Sequence, residues 1–309
     1  MGGNAFPDTC RLGRAERDRI VEVVTEALCT IGRCVAPLEL ADKETFGDVD
    51  FVVCGPRDAV REALCETLGG TVPFVACGPH DSFLTPERYQ VDVTYCPLHL
   101  FDMHVAFLSH GDLCMIAGLS LGGKVVLTQH GLWTRSPKVV LSTDPDAVTG
   151  FLGLPDLRTP MTKAEMFSSI LHGATFFESG AIASVTRKNT IRKRPAFVEF
   201  QTMSLDTESR IPGDVVQLAL DHFGKRADHE AAVEAEEQAA RDAELTRRCK
   251  AILSGRDVLD WLPSLDGPGV GRVLREVRGD RTLDEYLGYL EQATRDELRA
   301  AVALYAPTV

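Results

Sequence analysis

The run Gly47-Asp48-Val49-Asp50-Phe51-Val52-Val53-Cys54 constrains this chain more than any other stretch. From Asp50 to Cys54 it is a short apolar segment stopped by Gly55-Pro56, which reads as a strand bounded by turn signals. Helical periodicity lies on both sides. Val21, Val24, Leu28 and Ile31 recur over 15–32, with Gly32 at the end, and Val60, Leu64 and Leu68 recur over 57–68, closed by Gly69-Gly70. Thr71–Cys77 is a second strand. Tyr89–Cys96 is a third, with Val91, Val93 and Tyr95 on one face and Gln90, Asp92 and Thr94 on the other. The order helix, strand, helix, strand, strand predicts a small α/β unit over the first 96 residues.

The middle, about 97–220, is less regular. Leu113–Leu121 reads as a short helix ended by Gly122-Gly123, Lys124–Gln129 and Val139–Leu141 as strands, and Lys163–His172 as a helix. Asp144-Pro145 opens a helix over Asp146–Leu152 that Gly153 closes. From 214 the composition changes. His229–Ile252 is an Ala/Glu/Arg-rich helix with sparse apolar positions, expected to be largely solvated. The tail, 253–309, is helical with a Gly/Pro break at Asp266–Gly271. The expected division is 1–225, with a core at 1–100 and an extension at 101–225, followed by a helical region at 226–309. The fold class is α+β.

Acidic residues outnumber basic ones, 45 to 33, giving a net charge of −12. Such a surface repels nucleic acid and anionic membrane at long range, so a polyanion needs a local basic patch. No stretch is apolar enough to span a membrane, and the first residues have no apolar core of the signal-peptide kind. An intracellular protein, cytoplasmic or nuclear, with no membrane partner is the expectation. The nine cysteines contain no Cys-x-x-Cys and read as buried reduced thiols. GxSxG, Walker A, HExxH and GxGxxG patterns are all absent, which argues against hydrolase, P-loop, zincin and Rossmann readings.

Asp48 and Asp50 stand two apart entering a strand, so their carboxylates project from one face. Asp92 lies on the polar face of a strand able to pair alongside. An Asp-x-Asp at a strand start is commonly just a turn or cap, but a third Asp set between Val91 and Val93 needs a further reason. Three converging carboxylates repel one another unless divalent cations neutralise them, and carboxylate oxygens suit Mg²⁺ or Mn²⁺.

At these residues the chain resembles the nucleotidyltransferase superfamily of DNA polymerase beta, poly(A) polymerases and CCA-adding enzymes. The order helix 15–32, Asp48/Asp50, helix 57–68 and Asp92 matches that family's helix, hDhDh strand and later Asp-bearing strand. The resemblance implies a small mixed-sheet catalytic domain. It also implies that Asp48 and Asp50 hold two metal ions, Mg²⁺ or Mn²⁺, while Asp92 holds the catalytic one and helps deprotonate the attacking hydroxyl. The substrate would be an NTP such as ATP. The family's Gly-Ser loop, which cradles the triphosphate, falls here on Pro37-Leu38-Glu39-Leu40. Lys43 and Gly47 are candidate nucleotide-binding residues in its place, with an ordinary solvated lysine as the alternative for Lys43.

Two further runs bear on nucleic acid. Thr186–Arg194 carries five basic residues, Arg187, Lys188, Arg192, Lys193 and Arg194, and no acid. Around Pro268, Gly267, Gly269 and Gly271 leave backbone N–H groups able to face an anion as a helix begins, with Arg272 following. With Ser254–Leu259 upstream, this run resembles the tRNA-contacting helical region of CCA-adding enzymes and also a helix-hairpin-helix. A hinge with no ligand is the alternative. His99, Asp102 and His104 are a weaker metal candidate, and Gly131-Leu132-Trp133 a weaker base-stacking one, core packing being the usual role of each.

The expected activity is therefore metal-dependent transfer of NMP from an NTP to an acceptor hydroxyl, an RNA 3′ end being the first acceptor to consider. The alternatives are a catalytically reduced protein of the same fold that only binds nucleic acid, and a transferase acting on a protein or small-molecule hydroxyl.

Overall fold

The computed structural model of the chain describes residues 5–70, 72–185, 194–211 and 213–305. Strand β1 (Leu12–Gly13) runs directly into helix α1 (Arg14–Cys29), which buries Ile20, Val24 and Leu28 at four-residue intervals. The helix ends three residues earlier than its apolar spacing predicts. Gly32 is the reason: a Cβ there would lie 2.2 Å from the Cys54 carbonyl oxygen, so the chain turns close under a strand end and becomes β2 (Arg33–Val35).

After a loop come β3 (Thr45–Phe46), antiparallel to β1, and β4 (Val49–Cys54), antiparallel to β2. Helix α2 (Arg57–Thr67) follows, then β5 (Phe74–Cys77), β6 (His80–Leu84) and β7 (Gln90–Tyr95). The five-stranded sheet has the order β2-β4-β7-β6-β5, with β4 and β7 parallel and every other pair antiparallel. β6 has no counterpart in the sequence reading, because its polar His80, Asp81 and Ser82 hide the strand pattern. Gly78 at φ +59° makes the turn that starts it.

Alternation divides the sheet cleanly. Val49, Phe51, Val53, Val91 and Val93 face α1 and α2 in one core. On this helix side, buried Asp81 accepts from Arg57 Nε at 3.0 Å and Arg61 Nε at 2.8 Å. Asp50, Val52, Asp92 and Thr94 point to the opposite face. There, α3 (Phe101–Leu108) lays Phe101 against Val52 and Cys96.

A second core lies beyond α3. Helix α4 (Leu113–Leu119) packs on an antiparallel sheet of β8 (Val125–Thr128), β9 (Gly131–Thr134) and β10 (Val140–Ser142). Helix α5 (Pro145–Leu152) is N-capped by Asp144, whose side chain accepts from Asp146 N–H, and is closed by Gly153 in the left-handed region at φ +68°. Helices α6 (Lys163–Ser168), α7 (Ser179–Ala183), α8 (Pro195–Ser204) and α9 (Val215–His222) complete this part, with Phe167, Phe177, Phe197 and Phe200 fully buried.

The chain forms two compact units, Met1–His229 and Glu230–Val309. Helix α10 (Arg226–Ile252) begins in the first and continues into the second. Over its 27 residues it buries only Leu245 and Cys249, as its charged composition implies. Helices α11 (Gly255–Trp261), α12 (Gly267–Arg278), α13 (Leu283–Gln292) and α14 (Arg295–Leu304) follow. α11, α13 and α14 start on reciprocal capping boxes, Ser254/Asp257, Thr282/Glu285 and Thr294/Glu297. Val258, Val273, Leu290 and Val302 are at the centre of this unit.

All nine cysteines are free thiols. Cys34, Cys96, Cys114 and Cys249 are buried as expected, whereas Cys10, Cys29 and Cys77 are exposed, a correction to the uniformly buried expectation. Among the described residues, no helix is long and apolar enough to cross a membrane. The architecture is mixed α/β with a helical C-terminal region.

Candidate metal centre

Parallel pairing of β4 and β7 sets Asp50 directly beside Asp92, flanked by Val49 beside Val91 and Phe51 beside Val93. The valines and Phe51 must face the helices, so the register that buries them also brings the two carboxylates together on the other face. Asp48, just before β4, is buried at 8% exposure and joins them. One oxygen from each of Asp48, Asp50 and Asp92 lies within 4.8 Å of the others. Among the described residues this is the one group of three carboxylate, imidazole or thiol side chains able to hold a metal ion.

The electrostatics follow from that crowding. The Asp50 carboxyl is pushed up to about 8, first by burial and then by the charges of Asp48, Asp92 and Glu39. Asp92 is also raised, chiefly by burial and further by Asp48. Hydrogen bonds from the Ser82 hydroxyl and the Gln90 amide oppose that shift. Gln90 Nε2 reaches both Asp92 oxygens, at 2.9 and 3.0 Å, and Gln90 Oε1 accepts from Ala5 N–H at 3.0 Å. Three oxygen donors held against their own repulsion, one of them protonated near neutral pH, form a donor set that fits a hard divalent cation.

The loop from 36 to 44 runs beside this centre and is tied on both sides. Leu38 N–H donates to Ser109 Oγ at 3.2 Å and Ala41 N–H to the Met161 carbonyl at 2.8 Å. His110, fully buried at φ +58°, donates its N–H to the Leu38 carbonyl. On the other side, Arg14 donates to the carbonyls of Ala41 and Lys43, and Arg11 to Thr45. The Leu38 and Ala41 amides are therefore engaged within the protein. Lys43 Nζ pairs with Glu39 at 2.7 Å and lies 4.9 Å from the centre of the Phe46 ring. Gly47 is the bend between β3 and Asp48.

The nucleic-acid candidates divide. Arg187, Lys188, Arg192 and Lys193 lie outside the described residues. Arg194 precedes α8 and forms an ion pair with Asp112. At the start of α12, the Asp266 side chain accepts from Gly269 N–H at 2.8 Å, and the Asp266 carbonyl accepts from Val270 N–H. A carboxylate of the chain thus sits where an anion would be held. Gly267 and Gly271 are in the same first turns, and Arg272 is exposed beyond them.

Asp102 pairs with Arg33 at 2.7 Å rather than with His99 or His104, so those three make no common metal site. Trp133 packs with Lys138 Nζ 3.7 Å from its ring centre. A cavity of about 380 Å³ is lined by Arg33, Asp102, Asp144, Asp146, Thr149 and Arg158 among others and contains none of the triad. The sequence reading missed Gln90, Ser82 and Glu39 around the triad. Gln90 is the one it could have found, since it stands two before Asp92 on the same strand face. In comparison with known proteins, no family model matches the chain and no curated protein matches it.

Proposed function

We propose that the chain is a metal-dependent nucleotidyltransferase, with the five-stranded sheet as its catalytic domain, that moves NMP from an NTP onto an acceptor hydroxyl. The observation that carries this reading is the register placing Asp50 beside Asp92, with Asp48 within 4.8 Å. Asp48 and Asp50 would hold two ions and Asp92 one of them, Mg²⁺ or Mn²⁺ being suited to an all-oxygen donor set. Bound there, such ions neutralise phosphate charge and promote ionisation of the attacking hydroxyl. Asp92, which is hydrogen-bonded by Gln90 and Ser82, would accept the proton from that hydroxyl. The acceptor oxygen bonds to the α-phosphorus as the bond to the bridging oxygen breaks, and pyrophosphate leaves.

The acceptor rests on the sequence: the basic run Arg187–Arg194 favours nucleic acid, and the resemblance puts an RNA 3′ end first. A second reading, a catalytically reduced protein that binds nucleic acid, is favoured by the engaged Leu38 and Ala41 amides, which leave the loop fewer donors for a triphosphate. The test is incubation of the full chain with Mg²⁺ or Mn²⁺, each labelled NTP, and pools of RNA, tRNA, DNA and protein, with Asp50→Asn as control. Label on one acceptor class that vanishes in the variant supports the transferase and names its acceptor. RNA binding with no label under any pairing supports the second reading.

A further inference from the structure

His104 is the buried group the triad does not use. It lies one turn after Phe101 on α3, is 2% exposed, and has neither Nδ1 nor Nε2 hydrogen-bonded to any described residue. A buried polar atom without a partner costs about 1–3 kcal/mol and is rare in folded proteins, so two on one ring call for a ligand. The ring does have a neighbour. His130, in the two-residue turn between β8 and β9, places its ring centre 5.2 Å from that of His104, with the planes at 68°.

That spacing is informative. Two imidazoles bound to one tetrahedral ion at ~2.0–2.1 Å hold their ring centres roughly 5 Å apart. An edge-to-face contact alone would leave both His104 nitrogens unsatisfied. Burial also holds His104 in the neutral form that a metal requires, pushing it down to about 4, with His130 and His80 contributing. His80, whose Nδ1 is 2.9 Å from Thr94 Oγ1, is close enough to act on His104. His80 and Thr94 follow Ser82 and Asp92 along the same sheet face, so the imidazoles neighbour the acidic centre.

We infer that His104 and His130 form a second cation site, selective for an imidazole-preferring divalent ion such as Zn²⁺ or Co²⁺, which staples the β8–β9 turn to α3. Nitrogen donors favour these ions, whereas the oxygen-only triad favours Mg²⁺ or Mn²⁺. The two sites are thus chemically separable, and this inference does not depend on nucleotidyl transfer. Among the described residues no third carboxylate, imidazole or thiol completes a group with His104 and His130, so water would fill the remaining positions.

The experiment uses the full chain, stripped with a chelator and then given excess Mg²⁺ to occupy the triad, with Zn²⁺ binding followed by equilibrium dialysis and Co²⁺ binding by its visible absorption. One Zn²⁺ per chain is expected in the unaltered protein and equally in Asp50→Asn. His104→Gln and His130→Ala should weaken it on the order of 100-fold. His130 is exposed in a turn, so His130→Ala keeps the fold, checked by an unchanged melting temperature in EDTA. The inference is overturned if the unaltered protein retains no Zn²⁺ under excess Mg²⁺. It is equally overturned if His130→Ala binds Zn²⁺ as the unaltered protein does, or if Asp50→Asn alone abolishes binding.

Discussion

Asp50 and Asp92 stand side by side on adjacent parallel strands, β4 and β7, and each is fixed there by apolar neighbours that point the other way. The arrangement is unfavourable for the ion-free protein: burial and three nearby carboxylates push Asp50 up to about 8.

The sign of the pH dependence follows. A carboxyl that titrates near 4 when unfolded and near 8 when folded leaves the native state holding more protons across that interval. Metal-free stability should therefore fall as pH rises from about 4 to about 8. Asp50→Asn should raise the metal-free melting temperature at pH 8 and change little at pH 4. Thermal melts in EDTA across this range check it, and a flat difference between the two proteins would contradict it.

Divalent ions should reverse that loss. At a free concentration about 100-fold above its Kd, a bound ion adds about 2.7 kcal/mol, several degrees in melting temperature for a unit of this size. The Mg²⁺ or Mn²⁺ response should be larger at pH 8 than at pH 5, where protons compete, and absent in Asp50→Asn. Melting with and without Mn²⁺ at both pH values decides it.

On the helix side of the sheet, Asp81 is fully buried between Arg57 and Arg61. Burial alone would raise its carboxyl, but the hydrogen bonds from the two guanidinium groups more than offset this and hold it below the usual range. Its stabilisation is complete above about pH 4 and is lost as pH falls toward the depressed folded value. Asp81→Asn should destabilise by about 3 kcal/mol at pH 7, with the gap to the unaltered protein narrowing below pH 4. Urea unfolding at pH 7 and pH 3 measures both.

Gly32→Ala should be costly although its backbone is in an ordinary region, because the added Cβ meets a main-chain oxygen that cannot step aside. A loss of about 3 kcal/mol is expected from urea unfolding, with Gly70→Ala, whose Cβ meets open space but whose φ of +97° is strained, as a comparison of a different mechanism.

What the sequence disclosed depended on range. Asp48, Asp50 and Asp92 were legible because strand alternation is a two-residue rule, and Val91, Val93 and Phe51 advertise which face is buried. β6 was not legible, since His80, Asp81 and Ser82 are polar for reasons lying elsewhere: Thr94, the α2 arginines and Asp92. Nor was the anchoring of the 36–44 loop, because Ser109 and Met161 are distant in the chain and nothing in the local spacing names them. His104 was legible only as part of a weak candidate with His99 and Asp102, and nothing in the sequence named His130 as its neighbour. Only α3's placement over the sheet, and a hairpin turn arriving from beyond it, bring its ring against His130.

The most direct test of the central claim compares the full chain with ATP labelled at the α-phosphate and at the γ-phosphate, in Mn²⁺ with an RNA acceptor, following both acceptor label and pyrophosphate. Nucleotidyl transfer at the Asp48–Asp50–Asp92 centre predicts acceptor label from the α position only, one pyrophosphate released per transfer, and loss of both in Asp50→Asn and Asp92→Asn. Label from the γ position, or α label that survives in Asp50→Asn, would contradict it.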